Sequence, residues 1–275
     1  MSGLVLARPP VPPELPDGAR PRWPAWYGFA AMGAGTVVVS LAGIPLIPLV
    51  LFSVVDGAPG AVALLVLVLV QDVVYVGTAV AFAWLRQRPR AWHFGLRRTP
   101  TKRTLLLTLG VTLAVLGFEI GFFELVEVDE SKVDELGGGG DFVAALAISL
   151  AAVVVAPVME ELFFRAFLYR ALRNRMGVAL ACAVNGVVFA AVHLQYLAIP
   201  EVYVTIAVFA VAACLLYEAT GSVLPCIAIH AIFNTVALSG TDAGYLAPIA
   251  VGVAVVAACA VASRMLAPGP SPFPA

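Results

Sequence analysis

Apolar positions in this chain come in long unbroken blocks. The blocks cover residues 26–53, 61–85, 104–126, 142–164, 178–198, 202–217, 222–238 and 245–266. A hydrocarbon layer about 30 Å thick is crossed by about 20 helical residues, so each block is long enough, or nearly so, to span one. The blocks are rich in Leu, Ala and Val and lack the period-two alternation of a membrane β-strand. The pattern therefore predicts an all-α fold, a polytopic membrane helix bundle of about eight transmembrane helices. Two blocks are less regular: Pro45 and Pro48 interrupt 26–53, and 202–217 is short.

The segments between and around the blocks divide the chain. The stretch RPPVPPELPDGARPRWP cannot continue a helix or serve as the apolar region of a signal peptide. Residues 1–24 are thus expected to be an extended, solvated tail, as is PGPSPFPA at 268–275. A single membrane domain, 25–267, lies between them and shows no internal repeat.

Composition agrees: 61% of residues are hydrophobic and 12% charged, with a mean hydropathy of +0.98. Soluble domains are about half apolar and a quarter charged, so the protein is expected to be integral to a membrane. The formal net charge of −1 argues against nucleic-acid binding, which needs a basic footprint on a soluble face. It also conceals an asymmetry. Arg8, Arg20, Arg22, the seven Arg and Lys of 86–103, the Arg165–Arg175 group and Arg264 fall on one side of an eight-span arrangement, whereas Lys132 falls on the other. Cationic loops face the cytoplasm, which predicts that both termini are cytoplasmic. The Ala-, Val-, Arg- and Gly-heavy composition, without eukaryotic targeting segments, points to a bacterial cell membrane.

Ionisable groups inside a bilayer are costly and mark function by default. The candidates are Asp72, Glu119, Glu160, Glu161, Arg165, His193, Glu218 and His230. The residue pattern assigns Asp72 and Glu119 to pairing with neighbouring helices. In a transporter they would line a path, but that class predicts broken helices in two related halves. Cys182, Cys214, Cys226 and Cys259 show no metal or redox spacing and read as small apolar side chains.

Helical geometry groups the others. In VVVAPVMEELFFRAFLYRALRNR, residues 153–175, Glu161 and Arg165 are i,i+4 in the favourable order, which leaves Glu160 free to face a cavity. Both acids could instead cap an interfacial basic segment. Glu160 and His193, within NGVVFAAVHLQY, are equidistant from the turn at Met176 and Gly177, and two antiparallel arms put equidistant residues at equal height. His230 and Asn234, within SVLPCIAIHAIFNTVAL, are again i,i+4 and share a face. Two of the three histidines thus lie in apolar blocks beside an acid and an amide.

The ordered set EELFFR, FAAVH and HAIFN, on separate helices, resembles the three motifs of the CPBP intramembrane proteases, a group that includes the CAAX prenyl protease 2 enzymes and bacterial Abi relatives. FGLRR and YEATGSVLPCIAIHAIFN extend the resemblance over about residues 90–240. It implies an intramembrane endopeptidase whose cavity opens toward the cytoplasm. Glu160 and His193 would activate water, Glu161 and Arg165 would support them, and His230 with Asn234 would stabilise the oxyanion. The chemistry is consistent: a carboxylate in low dielectric is a stronger base, an imidazole can share the water's proton, and an amide and an imidazole N–H form an oxyanion hole. Glu160, His193 and His230 could also form a zinc set with an open position, although HExxH is absent; the expectation leans to a metal-free reaction. The expected partners are membrane lipid and a peptide or membrane-protein substrate, with lipidated peptides included. A member that retains the fold without turnover, acting as a scaffold or immunity protein, is the alternative.

Overall fold

The computed structural model describes residues 21–52, 54–55, 58–99, 101–127, 142–239 and 246–266. Eight apolar helices account for nearly all of them. We number them α1 (Trp26–Phe52), α2 (Ala61–Trp84), α3 (Thr101–Leu125), α4 (142–173), α5 (Val178–Ala191), α6 (Val202–Thr220), α7 (Leu224–Ser239) and α8 (Leu246–Met265). Six are long enough to cross a membrane alone, while α5 and α7 are shorter. A two-residue hairpin pairs Val54 with Pro59 and Val55 with Ala58 between α1 and α2.

Each block thus became a helix, and the departures have local causes. Pro45 does not end α1; the chain tightens to a 3-10 turn at Ile44–Leu46 and resumes as helix at Ile47–Phe52. The fourth helix was expected to stop near 164 but runs on to Arg173. The fifth, expected to reach 198, ends at Ala191. The acidic connection at 128–141 and both terminal tails, 1–20 and 267–275, lie outside the described residues.

α4 is the hub, packing against α1, α2, α5, α6, α7 and α8. Its side chains Phe163, Phe167, Leu168 and Tyr169 are buried. The outer helices are the reverse, with Leu41, Leu105, Leu113 and Val261 exposed. In water this would be an aggregating surface; in lipid it is the solvated face. Hydroxyls on these helices bond back to their own backbone, as Thr108 does to Thr104 O at 2.7 Å and Thr112 to Thr108 O at 2.8 Å. Where no water is present, the preceding turn is the available acceptor. α5 and α6 meet closely at Gly186, where a Cβ would lie 3.2 Å from Ala207 O, a small-residue contact typical of membrane helices.

One end of the bundle is tied by polar contacts. Asn174, after α4, donates to Pro21 O at 3.1 Å and Trp23 O at 2.8 Å. Trp23 is fully buried and donates to Phe167 O at 3.3 Å. Pro21 and Trp23, at the end of the proline-rich segment, are therefore packed against the bundle. Arg97, in the basic loop, is buried and donates through Nε to Gly221 O at 2.7 Å, in the turn between α6 and α7. The 86–99 loop, the turns after α4 and α6, and the start of α1 thus share one end.

Candidate active site

α4 is not a regular α-helix where its charges sit. Residues Leu150–Val155 and Glu161–Tyr169 are π-helical, flanking a short α-helical piece at Ala156–Glu160. The first of these stretches leads into Pro157, which has no N–H and whose ring crowds the carbonyl four residues back. Helix widening of this kind is frequent at functional sites. In the wide register the Ala156 N–H bonds to Ala151 O, so Ala152 O should pair with residue 157, which is proline. That orphaned carbonyl is met by Asn234, whose Nδ2 donates to it at 2.7 Å. α7 is thereby pinned to α4 one turn from His230.

The pinning brings the two helices' ionisable groups together. Glu161 and Arg165 pair at 3.0 Å with both side chains fully buried. The same Glu161 Oε1 lies 2.8 Å from His230 Nδ1; a carboxylate only accepts, so Nδ1 carries the hydrogen and Nε2 is left for the site. Arg165 is wedged between aromatic faces, its guanidinium carbon 4.2 Å from the Phe189 ring centroid and 5.4 Å from that of Phe209. A cation in low dielectric thus has a carboxylate on one side and π-faces on the others.

His193 comes from the opposite direction. It follows the end of α5, with φ −84° and ψ 58°, and Tyr203 holds its carbonyl at 2.9 Å. Its Nδ1 is 2.6 Å from Phe189 O, an acceptor, which again leaves Nε2 for the site. The Nε2 atoms of His193 and His230 each lie 3.9 Å from Glu160 Oε2, and that oxygen has no hydrogen-bond partner. Glu160, His193 and His230, 70 residues apart at the extremes, converge on one point. Glu160 and His193 line a cavity of about 340 Å³ together with Asp72, Gln71 and Tyr75 of α2 and Thr36 of α1. His230 is nearly buried behind Glu160, at 4% exposure against 20%.

Of the remaining candidates, Glu218 is occupied elsewhere, accepting from Tyr169 Oη and Arg173 Nε at 3.0 Å each. Glu119 is partly buried on α3 and does not line the cavity. Asp72 was assigned a neighbouring partner, yet its Oδ2 is buried without one. The four cysteines are free and at least partly buried. Two residues of the site were not singled out in the sequence, Phe209 and Asn185, while Phe189 entered as the first residue of FAAVH. Asn185 is fully buried and donates to Phe164 O at 2.9 Å, tying α5 to the π-helical turn. Its signal was available, since an amide inside an apolar block needs a partner.

In donor type the trio would suit a divalent metal, with two imidazole nitrogens and a carboxylate oxygen facing one point and each ring oriented through its other nitrogen. In spacing it does not. Zinc draws such donors to about 2.0–2.2 Å from one centre, and among the described residues no group of three or more His, Cys, Asp or Glu side chains is placed to hold an ion.

Residues 142–236 match the family model described as type II CAAX prenyl endopeptidase Rce1-like. No curated protein and no solved structure matches the chain. The matched segment holds α4, α5, α6 and most of α7, and with them all six motif residues. Over that segment, the polytopic helical protein is similar to the Rce1-like type II CAAX prenyl endopeptidases.

Proposed function

We propose that this protein is an intramembrane endopeptidase that hydrolyses a peptide bond of a membrane-associated substrate, with Glu160 as general base. The observation that carries the reading is the unpartnered Glu160 Oε2, 3.9 Å from two imidazole Nε2 atoms at the wall of a cavity. The family's own name is that of a peptidase. A gap of 3.9 Å is too long for a direct hydrogen bond, and the attacking water would bond to both groups. Glu160 takes a proton from that water as its oxygen attacks the substrate carbonyl carbon, and His193 holds the water and shares the proton. The tetrahedral oxyanion falls to the His230 and Asn234 side. Asn234 has one N–H committed to Ala152 O and a second to give; His230 contributes through Nε2 when protonated. On collapse the C–N bond breaks and the proton passes to the leaving nitrogen. Arg165 and Glu161 hold His230 in register.

The Arg- and Lys-rich end of the bundle supports an orientation with that end at the cytoplasm. The test is turnover of a quenched peptide library by purified protein, with lipidated and unlipidated members and with chelator in a parallel arm. Glu160→Gln, which keeps size and removes the base, should lower the rate by at least about 100-fold at unchanged thermal stability. Cleavage by that variant at the wild-type rate would overturn the assignment.

A further inference from the structure

Asp72 is the one acid on the cavity wall that the reaction above does not use. It sits in α2, across the cavity from the motif helices, and is 4% exposed. Gln71 of the same helix hydrogen-bonds its carboxyl, but Oδ2 is buried with no hydrogen-bond donor, a condition that burial makes costly until a donor arrives. The surrounding wall offers none of opposite charge. Among the described residues that line the cavity there is no Lys or Arg. Arg165 does not line it, being fully buried against Glu161, Phe189 and Phe209. The cavity therefore presents two carboxyl groups, Asp72 and Glu160, among apolar and neutral polar side chains.

A ligand that completes this wall must bring N–H donors and positive charge. A peptide's free C-terminal carboxylate would do the reverse, entering a space with two acids and no cation. Resting on the endopeptidase reading, we infer that Asp72 is a substrate-binding and specificity residue that receives a basic side chain, Lys or Arg, near the cleaved bond. The substrates it selects are internal, cationic peptide segments in preference to peptides cut close to a free C-terminal carboxylate. Asp72 does not take part in bond breaking: it holds the incoming cation while Glu160 and the imidazoles act on the neighbouring carbonyl.

The experiment uses the full-length protein in lipid nanodiscs and matched peptides that differ only in Lys or Gln at one position, each as C-terminal acid and amide. Binding is read by fluorescence anisotropy and cleavage by release of quenching. The wild type should favour Lys over Gln by about 10- to 100-fold, the size expected of a charge-assisted hydrogen bond, and should take the amide at least as well as the acid. Asp72→Asn should bring the Lys to Gln ratio close to one. The ratio is insensitive to a general loss of folded protein, which lowers both peptides alike. Equal use of Lys and Gln by the wild type, a Lys preference that survives in Asp72→Asn, or a preference for the free acid would each overturn the inference. Binding that prefers Lys without any cleavage would leave the role of Asp72 intact and remove the endopeptidase reading; cleavage without charge preference would do the opposite.

Discussion

The fully buried Glu161–Arg165 pair shows how single side chains support this site without touching its cavity. Taking two charges out of water is expensive, and removing one partner strands the other, at a cost of about 3–5 kcal/mol. Arg165→Ala is therefore expected to lower both folded yield and activity, measured as monodisperse protein after detergent extraction and as peptide turnover. Arg165→Lys should rescue little, because an ammonium does not reproduce a planar guanidinium stacked between Phe189 and Phe209. Asn234 is a different case. Its amide satisfies a carbonyl that Pro157 cannot, so Asn234→Ala should cost about 1–3 kcal/mol of stability in addition to any loss of rate. A thermal melt unchanged from wild type would show that the Ala152 contact contributes nothing.

Among the elements, α4 stands apart because it contains turns of different width around Pro157. A regular α-helix would pair Ala152 O with Ala156 N–H and leave Asn234 without its partner. The clasp between the basic loop and the α6–α7 turn is the second element that positions the site, since it fixes where α7 begins. Gly221 there has φ +62°, a left-handed conformation that residues with a Cβ adopt at a penalty, and an added Cβ would strike the Arg97 guanidinium. Gly221→Ala should therefore destabilise the protein by about 1–3 kcal/mol. It should also increase proteolysis within 86–99, readable as new fragments in limited digestion. Digestion identical to wild type would mean that the loop is held by other contacts.

For the molecule as a whole, the contacts at one end give the charge bias a structural counterpart. Arg97, Asn174, Trp23 and the α6–α7 turn meet there, as an even number of antiparallel crossings between them requires. Arg88, exposed in the basic loop, and Ala198, exposed between α5 and α6, belong to opposite ends. In intact cells a membrane-impermeant thiol reagent should label Ala198→Cys and leave Arg88→Cys unlabelled until the membrane is opened. Labelling of both from outside, or the reverse pattern, would contradict the orientation.

Much of this was legible in residue order. Hydropathy specifies the helices because each lipid-crossing segment must satisfy its own backbone and cover itself with apolar side chains, so eight blocks became eight helices. Local geometry also carries the Glu161–Arg165 pair, an i,i+4 relation, and the equal depth of Glu160 and His193 about a tight turn; the two lie 3.9 Å apart. Other features depend on packing between segments distant in sequence. The orphaned Ala152 carbonyl exists because α4 widens before Pro157, but its partner, Asn234, lies 82 residues on. The aromatic wedge around Arg165 needs α5 and α6 side by side. Asp72 looks like any buried acid in a linear reading. Whether such a group is paired or waits for a ligand depends on which helices close around it, because desolvation and hydrogen bonding are properties of the assembled surroundings and not of the residue or its neighbours in the chain.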